Sequence, residues 1–296
     1  MRASAAVDRL SFLALVIEWL IICTIISAAI WAANGWAYTL AFCVIATRQH
    51  ALLILYHDAV HGHFARRQWL NDLIVNAFVG VPVLMPVEIY RPLHMQHHRA
   101  LGTAEDPETH LLYAEQHWRY RPLSPGTLVR QLLGDLFVIN GARTIAAWRR
   151  WQSSDSSQTT ATTPWLTVSV AMLWLLGVGG CLLVSPATAM IALALWVLPL
   201  LTLTQLLQKL RSYAEHSGGP DTTAGWPHWT YSWRPGWFGR LTLWPYRINL
   251  HREHHERPQL HWHELTEIQD NRYLAGEALW GLLAAPSYRE PGHTKG

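Results

Sequence analysis

The residues of this chain that are best suited to chemistry are histidines. The sequence contains 17 of them, and three short segments hold them at regular spacings: HDAVH at 57–61, HMQHH at 94–98 and HREHH at 251–255. Residues three and four apart share one face of a helix, so each segment can direct two or three imidazoles at a metal ion. The spacing predicts a metal centre with eight histidine ligands: His57, His61, His94, His97, His98, His251, His254 and His255.

The number of imidazoles indicates how many metal ions the centre can hold. Imidazole binds zinc, copper, iron and nickel, so the ligand type alone does not name the metal. Eight imidazoles exceed the three protein ligands of a catalytic zinc ion, and they fit two metal ions of higher coordination number. Seven histidines elsewhere are interpreted as solvated or hydrogen-bonded side chains: His63, His110, His117, His228, His261, His263 and His293.

Carboxylates close to these segments are candidates for orienting the imidazoles. A histidine that binds a metal usually donates its other ring N–H to a carboxylate or a carbonyl. Four acidic residues lie near enough in sequence to qualify: Asp58, Asp106, Glu215 and Glu253. The alternative for each is an ordinary surface charge.

The elements that must position the histidines are membrane helices. Half of the 296 residues are hydrophobic and only 15% are charged, against roughly 25% charged in soluble domains. A bilayer core needs about 20 apolar residues in helix, and four runs meet this length: 12–32, 37–56, 165–185 and 187–207. The prediction is an all-α membrane protein with four transmembrane helices in two hairpins, and a cytoplasmic helical cap that carries the histidine segments.

The basic residues predict how this single domain, residues 1–296, is oriented. All of the 23 Lys and Arg residues except Arg48 lie outside the four runs and outside both hairpin turns. Because cytoplasmic segments retain Lys and Arg, we expect both termini and the segments 57–164 and 208–296 in the cytoplasm, with the helices in the inner (cell) membrane. The apolar stretch 73–90 contains Gly80, Pro82 and Pro86, which break a helix, so a re-entrant or interfacial element is expected there.

Other classes of partner and site are excluded by composition. The net charge of +3 and the absence of a dense basic run argue against nucleic acid. The cysteines Cys23, Cys43 and Cys181 lie in apolar runs and are interpreted as buried hydrophobic residues, without disulfides.

The first two apolar runs contain two charged side chains, Glu18 and Arg48, and the histidine His50. Glu18 lies 16 residues before Asn34 in the first hairpin turn, and Arg48 and His50 lie 14 and 16 residues after it, so they lie at similar depth on antiparallel helices. An unpaired charge inside a membrane is costly, and Glu18 is therefore expected to pair with Arg48 or His50. A role in holding a polar substrate group is the alternative.

The three segments in this order resemble the histidine boxes of the integral membrane fatty acid desaturases and their hydroxylase and ketolase relatives. The pattern HxxxH, HxxHH, HxxHH stands here as HDAVH, HMQHH and HREHH, and the resemblance extends from about residue 57 to 258. It implies a non-haem diiron centre, O2 as co-substrate, and the eight box histidines as iron ligands. His216, in the segment RSYAEH just after the fourth run, is similar to a ninth ligand of that family.

The resemblance also implies substrates and partners. The first expectation is desaturation of a fatty acyl chain, with electrons from a separate ferredoxin or cytochrome and its reductase, since no haem, flavin or nicotinamide motif is visible. Hydroxylation or ketolation of a lipid or carotenoid is the second, because HDAVHG is also similar to the first box of carotenoid ketolases. Desaturation of a small amino-acid-derived metabolite stays open, since some relatives perform it.

A histidine-rich membrane metal transporter is the alternative from another class. Transport ligands would lie along a path inside the spans, whereas only His50 does so here. A catalytically silent membrane scaffold would leave the histidine spacing without a reason.

Overall fold

The structure is a computed structural model, and it describes residues 7–101, 103, 105–108, 125–139, 164–216, 230–268 and 273–275. Two long apolar helices come first in this part of the chain. Helix α1 spans Arg9–Ala32 and helix α2 spans Gly35–Val60. Asp8 caps α1 by accepting a hydrogen bond from the Ser11 amide at 2.8 Å, and Asn34 caps α2 in the same way. The two helices pack through buried aliphatic residues such as Ile22 and Leu52.

Helix α2 extends past the predicted end of its apolar run at residue 56. Its last residue is Val60, and Gly62 follows with a φ of +86°. A left-handed backbone after a helix end favours glycine, because a Cβ atom would be strained there. The extension places His57 and Asp58 inside the helix and His61 at its C-cap.

A break in the apolar stretch 73–90 occurs where the glycine and the prolines predict it. Helix α3 (Gln68–Val75) leads into a π-helical turn (Asn76–Gly80), and helix α4 (Val87–Ala100) follows after Pro86. Asn76 holds the two sides together, because its Oδ1 accepts from the Val87 amide at 2.8 Å and its Nδ2 donates to Glu88 and Thr167. A Cβ atom on Gly80 would lie 2.5 Å from Asn76 Oδ1, so this turn requires glycine.

The second half of the chain supplies the other two spans. Helix α5 (Pro125–Leu136) precedes α6 (Pro164–Val184), α7 (Pro186–Leu201) and α8 (Leu203–His216). Pro199 and the irregular residue Thr202 separate α7 from α8, and together they form one apolar segment, Pro186–His216. This segment runs beyond the predicted end at residue 207 and carries Glu215 and His216 on helix. The four predicted spans are confirmed as helices long and apolar enough to cross a membrane.

The C-terminal region folds against the ends of the long helices. Strand β1 (Ser232–Arg234), helix α9 (Trp237–Thr242), helix α10 (His251–Glu256) and strand β2 (Tyr273–Ala275) follow α8. The strands form a short parallel pair, which the all-α prediction does not include. Trp233 on β1 is fully buried and stacks on Trp244 at 5.2 Å between ring centroids. Its packing positions the segment that leads into α10.

Glu18, Arg48 and His50 each have a polar partner in the structure. Glu18 Oε1 lies 3.2 Å from Arg48 Nη1 and accepts a hydrogen bond of 2.5 Å from the Tyr246 hydroxyl. His50 does not contact Glu18: its Nε2 lies 3.0 Å from the Leu243 carbonyl oxygen. Residues two apart on a helix face away from each other, so Arg48 and His50 could not both reach Glu18.

Candidate metal centre

Nine histidines that are far apart in sequence meet at the ends of α2, α4, α8 and α10. Helix α2 brings His57 and His61, α4 brings three, α8 ends at His216, and α10 brings three more. They are the nine residues predicted as ligands: His57, His61, His94, His97, His98, His216, His251, His254 and His255. Their ring nitrogens fall into two adjoining groups.

The five-histidine cluster comprises His57, His61, His94, His98 and His254, whose candidate ligand nitrogens all lie within 4.8 Å of one another. Nε2 of His94 is 3.0 Å from Nε2 of His61 and 3.0 Å from Nε2 of His98. Nε2 of His254 is 3.2 Å from Nε2 of His98. Helices α2, α4 and α10 each contribute to this cluster, so it forms only when the two ends of the chain fold together.

The four-histidine cluster comprises His97, His216, His251 and His255. The nitrogens of His97, His216 and His255 form one compact group, and Nε2 of His251 lies 2.9 Å from that of His216 and 3.1 Å from that of His255. The cluster adjoins the first one, since the rings of His98 and His255 stack at 4.1 Å between centroids. Adjacent residues of one box therefore serve different clusters.

Burial favours the neutral form of six of these imidazoles, those of His61, His94, His98, His251, His254 and His255. Burial and, to a smaller extent, neighbouring charges lower the pKa of His61 to about 3 and that of His98 to about 2. The same causes hold the pKa values of His94, His251, His254 and His255 well below the ordinary value. A neutral imidazole is the form that binds metal, because its unprotonated nitrogen carries a lone pair.

The hydrogen-bonding pattern of the ring nitrogens also fits bound metal ions. A neutral imidazole has one N–H and one acceptor nitrogen, yet Nε2 of His94 faces two other Nε2 atoms while its Nδ1 has no hydrogen-bond partner among the described residues. Ligand atoms about 2.0–2.1 Å from one ion lie roughly 3 Å apart, which is the spacing seen here. A bound cation would be coordinated by the Nε2 lone pairs, which otherwise point at one another.

Two of the predicted orienting carboxylates contact the four-histidine cluster. Asp106 is fully buried, and its Oδ1 lies 3.0 Å from Nδ1 of His97. Glu108 lies 3.7 Å from the same nitrogen. Glu215 Oε2 lies 3.5 Å from Nδ1 of His251 and is also paired with Arg211. Each of these contacts leaves Nε2 of the histidine free to face the cluster.

The other two predicted carboxylates have different partners. Asp58 was expected to orient a box histidine, but its Oδ1 lies 2.8 Å from Nδ1 of His63 and accepts from the Trp262 amide. The loop after Gly62 folds His63 back onto Asp58, which the sequence spacing does not reveal. Glu253 is fully buried and accepts from the Ser232 hydroxyl, so it joins α10 to β1.

His63, His261 and His263 form a grouping that was not predicted from the sequence. The structure brings His63 and His261 together with Asp58, and His261 and His263 together with Asp8. A signal exists in the sequence, because HGH at 61–63 and HWH at 261–263 repeat the same spacing. The other four histidines that were interpreted as non-ligands lie outside the described residues: His110, His117, His228 and His293.

The site and the fold define a helical, membrane-type protein with histidine clusters that could bind metal, and comparison with known families agrees with this class. The family model described as Fatty acid desaturase matches residues 13–280. The chain belongs to the fatty acid desaturase family. Membership implies an oxidoreductase, and it confirms the resemblance carried by the three histidine boxes.

Two curated relatives are similar to parts of the chain. An sn-1 acyl-lipid omega-3 desaturase (ferredoxin) of Nostoc sp. (strain 36) is 28% identical over 36% of this chain and 28% of its own length. Dihydrorhizobitoxine desaturase of Bradyrhizobium elkanii is 26% identical over 84% of this chain and 73% of its own length. The chain thus spans under a third of the first relative and nearly three quarters of the second.

Proposed function

We propose that this protein is a membrane diiron oxidoreductase that uses O2 to oxidise an unactivated C–H position, with desaturation of a fatty acyl chain as its reaction. The convergence of nine imidazoles, seven of them buried and two partly buried, into two adjoining clusters carries the proposal. In this proposal the five-histidine cluster holds one iron and the four-histidine cluster holds the other. When bound, two such irons supply activation of O2, which no side chain performs by acid–base chemistry.

The protein's own part is to hold, orient and shield. Helices α2, α4, α8 and α10 hold the imidazoles, and all of them except His61 and His98 are buried away from water. Asp106 and Glu215 would orient His97 and His251 from behind. Desaturation removes two hydrogens from adjacent carbons, and O2 with two further electrons and two protons leaves as two waters. The electrons require a separate donor, a ferredoxin or a cytochrome with its reductase.

The arrangement in the membrane is part of the same proposal. Residues 1–296 would form one membrane-embedded domain with the spans in two hairpins, both termini and the metal centre on the cytoplasmic side of the inner membrane. The location of nearly all Lys and Arg residues outside the spans supports this orientation. A donor protein in the cytoplasm could then reach the metal centre.

A small metabolite in place of an acyl lipid is the second candidate for the substrate. The observation that favours it is the extent of similarity, since the match to dihydrorhizobitoxine desaturase covers 84% of this chain and the match to the acyl-lipid desaturase covers 36%. Hydroxylation or ketolation stays the alternative reaction, because it starts from the same kind of C–H bond but places oxygen on the substrate carbon.

Product analysis tests the reaction and the substrate together. Cells with and without the gene are compared by lipid profiling and by profiling of small polar metabolites, and the gene carrying His254→Ala serves as the inactive variant. His293→Ala is the matched control, since it removes a histidine that lies outside the three boxes. A new double bond in an acyl chain, lost only in H254A, supports the proposal. An unchanged lipid profile beside a new unsaturated metabolite would replace the lipid with the second candidate, and no new product in either pool would contradict the proposal.

A further inference from the structure

A second, smaller group of metal-binding side chains lies outside the nine histidines. Asp8, at the start of α1, faces His261 and His263 from the C-terminal region. Nε2 of His263 lies 3.2 Å from Asp8 Oδ2, and Nδ1 of His261 lies 4.0 Å from Asp8 Oδ1. The three side chains are 20% to 28% exposed to solvent, so an ion from solution can reach them.

One atom of this group is buried without a partner. Nδ1 of His261 makes no hydrogen bond in the described part of the chain. The neighbouring pair of Asp58 and His63 is already joined by a 2.8 Å contact, whereas His261 Nδ1 faces Asp8 Oδ1 across a gap too wide for a hydrogen bond. A cation between the two would coordinate both atoms.

The segment that carries the two imidazoles is held in place from both sides. The Trp262 amide donates to Asp58 Oδ1 at 3.1 Å, and its indole Nε1 donates to Ser11 Oγ at 3.0 Å. Asp8 is fixed in turn because its Oδ2 caps α1. Burial raises the pKa of Asp8, but the bond from Ser11 and the two histidines outweigh it and leave this pKa below its ordinary value, so the carboxylate is ionised. The donors are therefore arranged before any ion binds.

We propose that Asp8, His261 and His263 bind an additional divalent transition metal ion, zinc or ferrous iron. Two imidazoles and one carboxylate are a donor set that both ions accept, and open coordination positions would be filled by water. The ion would join the start of α1 to the segment 257–268, which are about 250 residues apart in sequence. This site does not depend on the proposed diiron chemistry.

The test counts metal ions on tag-free protein. Iron-loaded protein in detergent is titrated with Zn²⁺, or with Fe²⁺ in the absence of O2, passed through gel filtration and analysed for both metals. The wild type is expected to take up one ion per chain beyond its iron, and Zn²⁺ is expected to raise its thermal unfolding temperature. Co²⁺ is a spectroscopic probe for the nitrogen and oxygen ligands.

Two substitutions remove the site in different ways. His263→Gln removes a ligand, and Asp8→Asn removes the charge while asparagine still caps the helix. Substitution of a residue that only orients a metal ligand lowers metal affinity by roughly 10–100-fold. Each of these two substitutions should lower the affinity for the extra ion by more than that, and should abolish the Zn²⁺-dependent stabilisation. Glu267→Gln, an exposed acid of the same region paired with Arg234, is the control and should bind as the wild type does.

The outcomes separate this proposal from the diiron proposal. A wild type that takes up no ion beyond its iron, or variants that bind the extra ion as the wild type does, would overturn the additional site. If the protein holds no iron at all, the difference of one Zn²⁺ per chain between the wild type and H263Q still tests it.

Discussion

The five-histidine cluster and the four-histidine cluster differ in what stands behind their imidazoles. Asp106 and Glu108 approach Nδ1 of His97, and Glu215 approaches Nδ1 of His251, all in the four-histidine cluster. In the described part of the chain no ion pair joins a carboxylate to the five-histidine cluster, whereas three carboxylates lie within 4 Å of an Nδ1 atom of the other cluster. Carboxylates behind imidazoles fix the ring orientation and raise the basicity of the ligand. Under the proposed function the two iron positions would therefore be unequal.

Removal of one ligand from each cluster is the strongest way to test this difference. His61→Ala changes only the five-histidine cluster and His216→Ala changes only the four-histidine cluster. Under the proposed function each variant should form product more than 100-fold more slowly, since both irons are needed. This loss exceeds the roughly 10–100-fold effect of substituting a residue that only orients a metal ligand. Iron content should fall from about two to about one per chain. Loss of the same iron signal in both variants would contradict the assignment of separate clusters.

Substitution of Asp106 tests the role of the carboxylates. Asp106→Asn keeps the size of the side chain but removes the charge next to His97. Iron affinity at the four-histidine cluster should fall by about 10–100-fold while the other position stays filled, which metal titration followed by Mössbauer spectroscopy resolves. Equal weakening at both positions would show that the clusters share their carboxylate support.

The polar contact inside the membrane should affect stability more than chemistry. Glu18→Gln leaves Arg48 without its counter-charge at a buried site, and we expect a loss of about 3 kcal/mol in the free energy of unfolding. Tyr246→Phe removes only the hydrogen bond to Glu18 and should cost about 1.5 kcal/mol. Iron content per folded chain is expected to be unchanged in both. A change in the chain length of the product in E18Q would instead support contact with substrate.

The smallest effect is expected at Asp58. Its carboxylate contacts His63 and the Trp262 amide instead of a box histidine. Asp58→Asn should therefore change iron content less than twofold, well below the effect of D106N. A tenfold or larger loss of iron in purified D58N would mean that Asp58 supports the five-histidine cluster after all.

The features that the sequence predicts correctly are those that depend on local spacing. Apolar runs of about 20 residues predict the four long helices, and Gly80 with Pro86 predicts the break before α4. The three boxes predict eight histidines on helix faces because side chains three and four apart share a face. These patterns need no knowledge of how distant segments meet.

The features that the sequence does not reveal depend on contacts between distant segments. Tyr246 reaches Glu18 from 228 residues away, and Asp8 meets His263 from 255 residues away. Asp58 turns to His63 because Gly62 reverses the chain, a local event whose direction the spacing leaves open. The parallel pairing of β1 and β2 joins two three-residue strands, which are too short to show a period.

Metal analysis of the purified, tag-free wild type tests the central claim most directly. Iron quantification with Mössbauer spectroscopy of the ⁵⁷Fe-loaded protein should give about two irons per chain with two distinguishable signals, one for each histidine cluster. A chain that holds a single zinc ion and no iron would contradict the proposed diiron centre.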